Sequence, residues 1–81
     1  MPVRKVTHVV RGERGEILAL IHPDEHWSPR SRAAAIADIE SCLHVYYVQD
    51  HGERREVEVV QEGDRKVLRA PDDALARLPS A

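Results

Sequence analysis

Three clusters of turn-forming residues cut this sequence into short segments, and they constrain the fold more than any other feature. The clusters are residues 12–15, 50–53 and 62–64, and each contains glycine beside charged residues. Glycine adopts backbone conformations that tight turns require, and aspartate supports turns through local hydrogen bonds. A chain divided in this way is predicted to form short antiparallel strands joined as hairpins.

Apolar and polar residues alternate within several of these segments, which predicts strands with one buried face. The clearest example is the segment 55–60, where Val57 and Val59 are predicted to point inward and Glu56 and Glu58 to face solvent. The predicted strands are residues 5–10, 16–21, 43–49, 55–60 and 66–70.

One helix is predicted between the second and third strands. Ser28 is a suitable N-cap and Pro29 a suitable first helical residue, and the helix continues through residues 33–40. An apolar stripe at spacings of three and four predicts that one side packs on a sheet. The stripe consists of the stem of Arg32, Ala35, Ile36, Ile39 and Leu43.

The segment after the last strand is separated from it by Pro71. Asp72 or Asp73 is predicted to cap a short helical turn with Leu75 and Leu78 on one side. The element order is therefore β-β-α-β-β-β. We predict the α+β class: a single domain over residues 1–81, with an ordered core at about residues 4–79 and an antiparallel sheet with one helix packed on one face.

Size and composition exclude several classes of protein. A chain of 81 residues has little room for a deep active-site cavity, so no enzymatic activity is expected. The 12 basic and 14 acidic residues give a net charge of −2, which disfavours nucleic acid as a partner. Cys42 is the only cysteine, so we expect no internal disulfide and a cytoplasmic location. No apolar run approaches the roughly 20 residues that span a bilayer, so no membrane partner is expected.

Several short motifs follow one another along the chain. They are Trp27-Ser28, Ala35-Ile36 with Ile39, Tyr46-Tyr47-Val48, and a final segment from Asp73 to Pro79. With them the chain resembles the bacterial domain-of-unknown-function family numbered 3892 over roughly residues 5–79. The resemblance implies a small α+β domain of bacterial origin, and it implies no activity. Cys42 stands where that family usually has a glycine, and Val67-Leu68-Arg69-Ala70 stands where Tyr-Leu-Arg-Thr is expected.

The segment Ile-His-Pro-Asp-Glu-His-Trp, residues 21–27, contains the residue types of a metal site. His22 and His26 are four residues apart, and a carboxylate between them would add an oxygen ligand. However, Pro23 and Pro29 oppose a helix across both histidines, and no second pair of ligands appears. We predict a solvated loop, no metal and no cofactor, with metal binding by the two histidines left as an alternative.

No catalytic residues are predicted. Cys42 and His44 lie at a helix-to-strand junction, where a nucleophile and its base are not expected to align. Glu56 and Glu58 are about 7 Å apart by strand rise, but they belong to the predicted solvent face. Residues 12–15 match the GXXG spacing of an RNA-binding loop, yet they join two strands instead of two helices.

The side chains best suited to binding are aromatic residues and arginines near the open face of the sheet. Tyr46 and Tyr47 are adjacent on one strand, so one is predicted in the core and the other on the open face. The candidate binding residues are Trp27, Tyr46, Tyr47, Arg55 and Arg69.

The function predicted from these features is a non-catalytic protein-interaction or regulatory module. Its partner would be an unknown protein or a second copy of the chain, bound through the open sheet face or an edge strand. The alternatives are a nucleic-acid-binding accessory protein and a small-ligand or metal binder that uses residues 22–27.

Overall fold

The computed structural model describes residues 2–81 and shows, within them, one helix among eight short strands. The strands are β1 (Val3–Lys5), β2 (His8–Arg11), β3 (Ile17–Ile21), β4 (Arg30–Ser31), β5 (Val45–Asp50), β6 (Glu53–Glu56), β7 (Glu58–Glu62) and β8 (Arg65–Arg69). The helix α1 (Arg32–Glu40) follows β4, and a 3-10 turn spans Pro71–Asp73. No helix among residues 2–81 is long and apolar enough to cross a membrane.

The strands form three sheets, with the orders β1–β5–β6, β2–β3–β4 and β7–β8. Strands β1 and β5 are parallel, and the other neighbouring strands are antiparallel. The predicted α+β class with antiparallel strands and one helix is confirmed. The predicted single sheet, however, is divided into three, and it includes one parallel pair.

The predicted strand 5–10 is divided between two sheets. After β1, the Val6 N–H donates a hydrogen bond to the Tyr47 carbonyl at 2.8 Å, and the Thr7 N–H donates to the Ile21 carbonyl at 2.9 Å. The chain thus leaves β5 and joins β3 within two residues. Val6 is only 1% exposed, so its side chain stays in the core while the backbone changes partners.

The predicted strand 55–60 is divided in the same way at Val57. Its side chain is buried, and its N–H donates a hydrogen bond of 2.8 Å to the Tyr46 carbonyl. Glu56 ends β6 and Glu58 begins β7, so the two glutamates lie in different sheets instead of sharing one strand face.

The helix begins later than predicted. Ser31, not Ser28, is the N-cap, and its hydroxyl accepts a hydrogen bond of 3.2 Å from the Ala34 N–H. The Ser28–Pro29 peptide bond is cis, and the Ser28 hydroxyl accepts from the His22 N–H at 3.0 Å. The prediction of Pro29 as the first helical residue is therefore wrong, because Ser28 closes the preceding loop.

The helix packs on the sheets through a short apolar stripe. Ala35 is fully buried, and Ile36 and Ile39 are partly buried against the core. Leu43, predicted as the last residue of this stripe, lies beyond the helix and is 59% exposed.

The helix ends in a Schellman motif, with Cys42 in the left-handed conformation. The Cys42 N–H donates to the Ile39 carbonyl, and the Leu43 N–H donates to the Asp38 carbonyl. Cys42 has a φ of 61°, which favours glycine at this position because a side chain is strained there. A glycine would adopt this conformation without that strain.

Replacing Cys42 with glycine is expected to raise the free energy of unfolding by about 1 kcal/mol, since the strain of a left-handed side chain is of that size. Urea denaturation of the reduced protein measures the change. Cys42→Ala is the control, because it removes the thiol and keeps the strain, and it should change stability by less than about 0.5 kcal/mol. Equal stabilisation in both variants would assign the effect to the thiol.

One hydrophobic cluster joins the three sheets, the helix and the C-terminal segment. Its largest fully buried side chains are Val6, Val9, Leu20, Tyr46, Val48 and Leu75. The C-terminal segment also pairs with β2, since the Val9 N–H donates to the Pro79 carbonyl and the Ala81 N–H donates to the Val9 carbonyl. The chain end is therefore part of the packed structure.

Candidate functional site: a buried polar cluster and an uncovered sheet face

The sheet β1–β5–β6 has two faces of different character. On the inner face, which lies against α1, the strand register pairs Arg4 with Tyr46 and Val48 with Arg55. The opposite face is called here the outer face. It carries Val3, Lys5, Val45, Tyr47, Gln49, Arg54 and Glu56.

A buried polar cluster connects the helix to the inner face. The Asp38 side chain is 5% exposed, and Arg30 donates two hydrogen bonds to it, from Nε to Oδ2 and from Nη2 to Oδ1, both at 2.9 Å. The Tyr46 hydroxyl donates to Asp38 Oδ2 at 2.6 Å. Arg4 Nη1 donates to the Tyr46 hydroxyl at 2.8 Å and lies 3.6 Å from Asp38 Oδ2. These four residues are called the Asp38 cluster.

The protonation states in the Asp38 cluster follow from these contacts. Burial alone would raise the pKa of the Asp38 carboxyl, but hydrogen bonds from Arg30 and Tyr46 and the nearby positive charges outweigh burial and hold the pKa below its usual value. Burial and the hydrogen bond to Asp38 raise the pKa of Tyr46. The hydrogen bonds to Asp38 raise the pKa of Arg30. Asp38 is therefore ionised, and Tyr46 keeps its proton and donates it.

Trp27 closes one side of the Asp38 cluster. Its ring meets the Tyr46 ring edge-on, with centroids 5.6 Å apart and planes at 77°. The Arg4 guanidinium lies 5.6 Å from the Trp27 centroid and 5.7 Å from the Tyr46 centroid. Such cation–π contacts favour a fixed position for Arg4 between the two rings.

The Asp38 cluster is suited to holding elements together and poorly suited to acid–base chemistry. Both carboxylate oxygens accept hydrogen bonds, and a carboxylate with a lowered pKa is a weak base. The contacts instead tie α1 to β4 through Arg30 and to β5 through Tyr46. We assign the cluster a structural role in fixing the helix on the sheet.

The outer face combines apolar, aromatic and charged side chains that lie outside the hydrophobic core. Val3 is 51% exposed, and its register partner Val45 and the neighbouring Tyr47 are half-buried. The Arg54 guanidinium lies over the Tyr47 ring, 4.3 Å from its centroid. None of these four residues belongs to the hydrophobic core cluster.

The charges of the outer face are not neutralised within the part of the chain that the structure describes. Among residues 2–81, Lys5, Arg54 and Glu56 form no ion pair. Two cations and one anion leave this face positive, while the whole chain has a net charge of −2. The outer face is thus electrostatically distinct from the rest of the molecule.

The five candidate binding residues lie in three different places. Trp27 and Tyr46 pack together at the Asp38 cluster, and Tyr47 lies on the outer face. Arg55 lies on the inner face, where its guanidinium pairs with Glu53 at 2.7 Å and with Asp72 at 3.1 Å. Arg69 is exposed on β8 and pairs with Glu62. They do not form one platform.

The segment 21–27 has no helix across its two histidines. It runs from the end of β3 into two turns, with His22 half-buried and His26 exposed. The His22 Nδ1 atom accepts a hydrogen bond of 3.3 Å from the Asp24 N–H. Within residues 2–81, no group of three or more histidine, cysteine, aspartate or glutamate side chains is arranged to hold a metal ion.

Four residues of these two sites were not predicted from the sequence: Asp38, Arg30, Arg4 and Arg54. A signal for Asp38 exists, because it lies three residues after the buried Ala35 and so on the packed side of the helix. Its partners Arg4, Arg30 and Tyr46 give no local signal, since they are scattered over three strands. Arg54 was passed over for Arg55 because the face of each depends on the strand register.

Comparison with known proteins found no protein-family model, no curated protein and no solved structure that matches this chain. The resemblance to the domain family numbered 3892 stays a prediction.

Proposed function

We propose that this chain is a non-catalytic interaction module that binds another protein through the outer face of the β1–β5–β6 sheet. The observation that carries the proposal is the half-buried Tyr47 ring on the outer face, with the Arg54 guanidinium 4.3 Å from its centroid. Tyrosine and arginine are the side chains most enriched, with tryptophan, among residues that dominate binding energy at protein interfaces. Val3 and Val45 add apolar area beside them.

The charges of the outer face indicate the chemistry of the partner. This face has two positive charges, on Lys5 and Arg54, and one negative charge, on Glu56. None of the three forms an ion pair within residues 2–81. A partner surface with a small apolar patch flanked by carboxylates would complement this arrangement. Opposite potentials of this kind favour association and exclude wrong partners.

The size of the outer face indicates a transient contact. Its longest strand, β5, has six residues, and the face is three strands wide. With strand rise and spacing of about 3.3 and 4.8 Å, it covers roughly 280 Å². Stable complexes bury about 800 Å² on each partner. The outer face alone therefore supports a weak or regulatory interaction better than a permanent complex.

The test is an NMR spectrum of the isotope-labelled protein in a lysate of the cells that produce it. We expect selective broadening of the amide signals of Val45, Tyr47 and Arg54. Arg54→Glu should abolish this broadening, because it places a carboxylate against an acidic partner and removes the contact with Tyr47. Arg65→Glu is the matched control, since it makes the same charge change on β8, and it should leave the broadening unchanged.

Three outcomes would contradict the proposal. Broadening that grows with protein concentration without lysate would identify a second copy as the partner. Broadening of β1 or β6 amides that persists in Arg54→Glu would indicate strand addition at a sheet edge. Broadening that nuclease treatment removes would indicate nucleic acid.

A further inference from the structure

A cavity of about 430 Å³ lies between four parts of the chain, and it shares no residue with the outer face. It is open to solvent and is lined by the β2–β3 turn, the start of α1, the β7–β8 hairpin and the C-terminal segment. Ile17, Val67, Leu68 and Leu75 give it an apolar floor. Sites for small molecules commonly have volumes of about 300–1,000 Å³ and mostly apolar walls.

Arginines dominate the rim of this cavity. They are Arg14, Arg32, Arg65 and Arg69. Among residues 2–81, only Arg69 of these four forms an ion pair, which it makes with Glu62. Three arginines from three separate elements therefore line the cavity without an ion-pair partner among residues 2–81.

The acidic side chains of the cavity offset only part of this charge. Glu62 is already paired with Arg69, and Glu16 accepts a hydrogen bond of 3.1 Å from the Arg14 N–H and so belongs to the β2–β3 turn. Asp73 remains as the one lining carboxylate without an ion pair or a hydrogen bond to its side chain among residues 2–81. The four arginines of the lining outnumber its three carboxylates by one, and this net positive charge favours a ligand with a negatively charged group.

We propose that this cavity binds a small anion with an apolar body, carrying one carboxylate or one phosphate group. The guanidinium fork matches both oxyanions through paired hydrogen bonds. The floor of Ile17, Val67 and Leu75 receives the apolar body. The Asp73 carboxylate repels a second negative group, and it accepts a hydrogen bond from a hydroxyl or amine on the ligand. The ligand class is therefore an amphipathic molecule with a single anionic group.

The test uses the fluorescent probe 8-anilinonaphthalene-1-sulfonate, which joins an apolar body to a single anionic group. We expect saturable binding of one probe per folded chain. The uncharged analogue N-phenyl-1-naphthylamine should bind at least about tenfold more weakly, because it forms no charge-assisted hydrogen bonds with the arginines. Equal affinity for both compounds would show that the arginines do not recognise the anion, and it would overturn the proposal.

Amino-acid substitutions test whether the probe binds in this cavity. The pair Arg14→Gln and Arg65→Gln, combined in one chain, should weaken probe binding about tenfold, because both guanidinium groups lie on the rim. Arg54→Gln is the matched control on the outer face and should have no effect. Ala76→Trp should abolish binding by filling the cavity, and Ala76 is exposed, so the substitution leaves the core intact. Unchanged unfolding curves in urea establish that each variant is folded.

Competition distinguishes the two oxyanions. Octanoate that displaces the probe where octyl phosphate does not identifies a carboxylate site, and the reverse identifies a phosphate site. Probe binding that survives Ala76→Trp, or that falls equally in Arg54→Gln, would place the probe elsewhere on the chain and would overturn the proposal.

Discussion

Replacing Asp38 with alanine is expected to lower the free energy of unfolding by about 3 kcal/mol. The substitution removes the acceptor of two hydrogen bonds from Arg30 and one from Tyr46. Losing one member of a buried ion pair costs about 3–5 kcal/mol because the other charge stays buried. The lower end applies here, since the Arg30 side chain is 35% exposed and can turn toward water.

Urea denaturation measures this loss, which is a large fraction of the total stability of about 4–8 kcal/mol expected for a domain of this size. In thermal denaturation, a loss of about 3 kcal/mol should lower the midpoint temperature by roughly 12 °C or more. Glu40→Ala is the matched control on the same helix. It removes an exposed carboxylate paired with Lys66 and should cost less than about 1 kcal/mol. Similar small losses in both variants would show that the Asp38 cluster does not hold the helix on the sheet.

The pH dependence of the free energy of unfolding tests the ionisation of Asp38. Its pKa is lowered in the folded chain, so the ionised carboxylate stabilises the fold fully above the unfolded pKa of about 3.9. This stabilisation is lost as the pH falls through the folded pKa. The stability difference between the wild type and Asp38→Asn should therefore be constant above about pH 5 and shrink below about pH 4. A difference that grows in acid would contradict an ionised Asp38.

The strands and turns could be predicted from the sequence because their causes are local. The β5–β6 turn consists of His51 and Gly52, both with positive φ, and the β7–β8 turn has Gly63 at a φ of 63°. Glycine at such positions is a direct signal of a tight hairpin. The alternation of Val57 and Val59 with glutamates likewise gave the correct inward residue, since Val57 is buried.

The division of the sheet could not be predicted, because its causes are distant in sequence. The break at Val6 and Thr7 depends on carbonyl groups of Tyr47 and Ile21, and the break at Val57 depends on the carbonyl of Tyr46. No local pattern contains these partners. A period-two pattern continues smoothly through a residue at which the chain changes sheets, so the predicted strands were too long.

For the candidate site, too, local features could be predicted from the sequence and contacts between strands could not. The opposite orientation of Tyr46 and Tyr47 follows from strand geometry alone, and the structure places Tyr46 in the core and Tyr47 on the outer face. The contact between Tyr47 and Arg54 depends on the β5–β6 register, which opposes Gln49 to Arg54 and Val48 to Arg55. A shift of one residue would exchange the faces of the two arginines.

Replacing Leu75 with alanine is expected to lower the free energy of unfolding by about 3 kcal/mol. Leu75 is 2% exposed and belongs to the same hydrophobic cluster as Val9, Leu20 and Tyr46. A truncation there loses the transfer free energy of the side chain and leaves a void that a small core fills only in part. Urea denaturation gives the magnitude, and Leu43→Ala is the control, because Leu43 is 59% exposed and should cost less than about 0.5 kcal/mol.

Hydrogen exchange in Leu75→Ala shows whether the C-terminal segment is part of the cooperative fold. Arg11 donates hydrogen bonds to the Ala76 and Leu78 carbonyls and to the Ser80 hydroxyl, so polar contacts tie this segment to β2 beside the buried leucine. If Leu75 anchors one shared core, the amides of β5 should exchange faster along with Ala81. If only the Ala81 amide is affected and the unfolding curve is unchanged, the segment is an appendage. The proposed anion-binding cavity, which Leu75 lines, would then lack the stable wall that ligand binding requires.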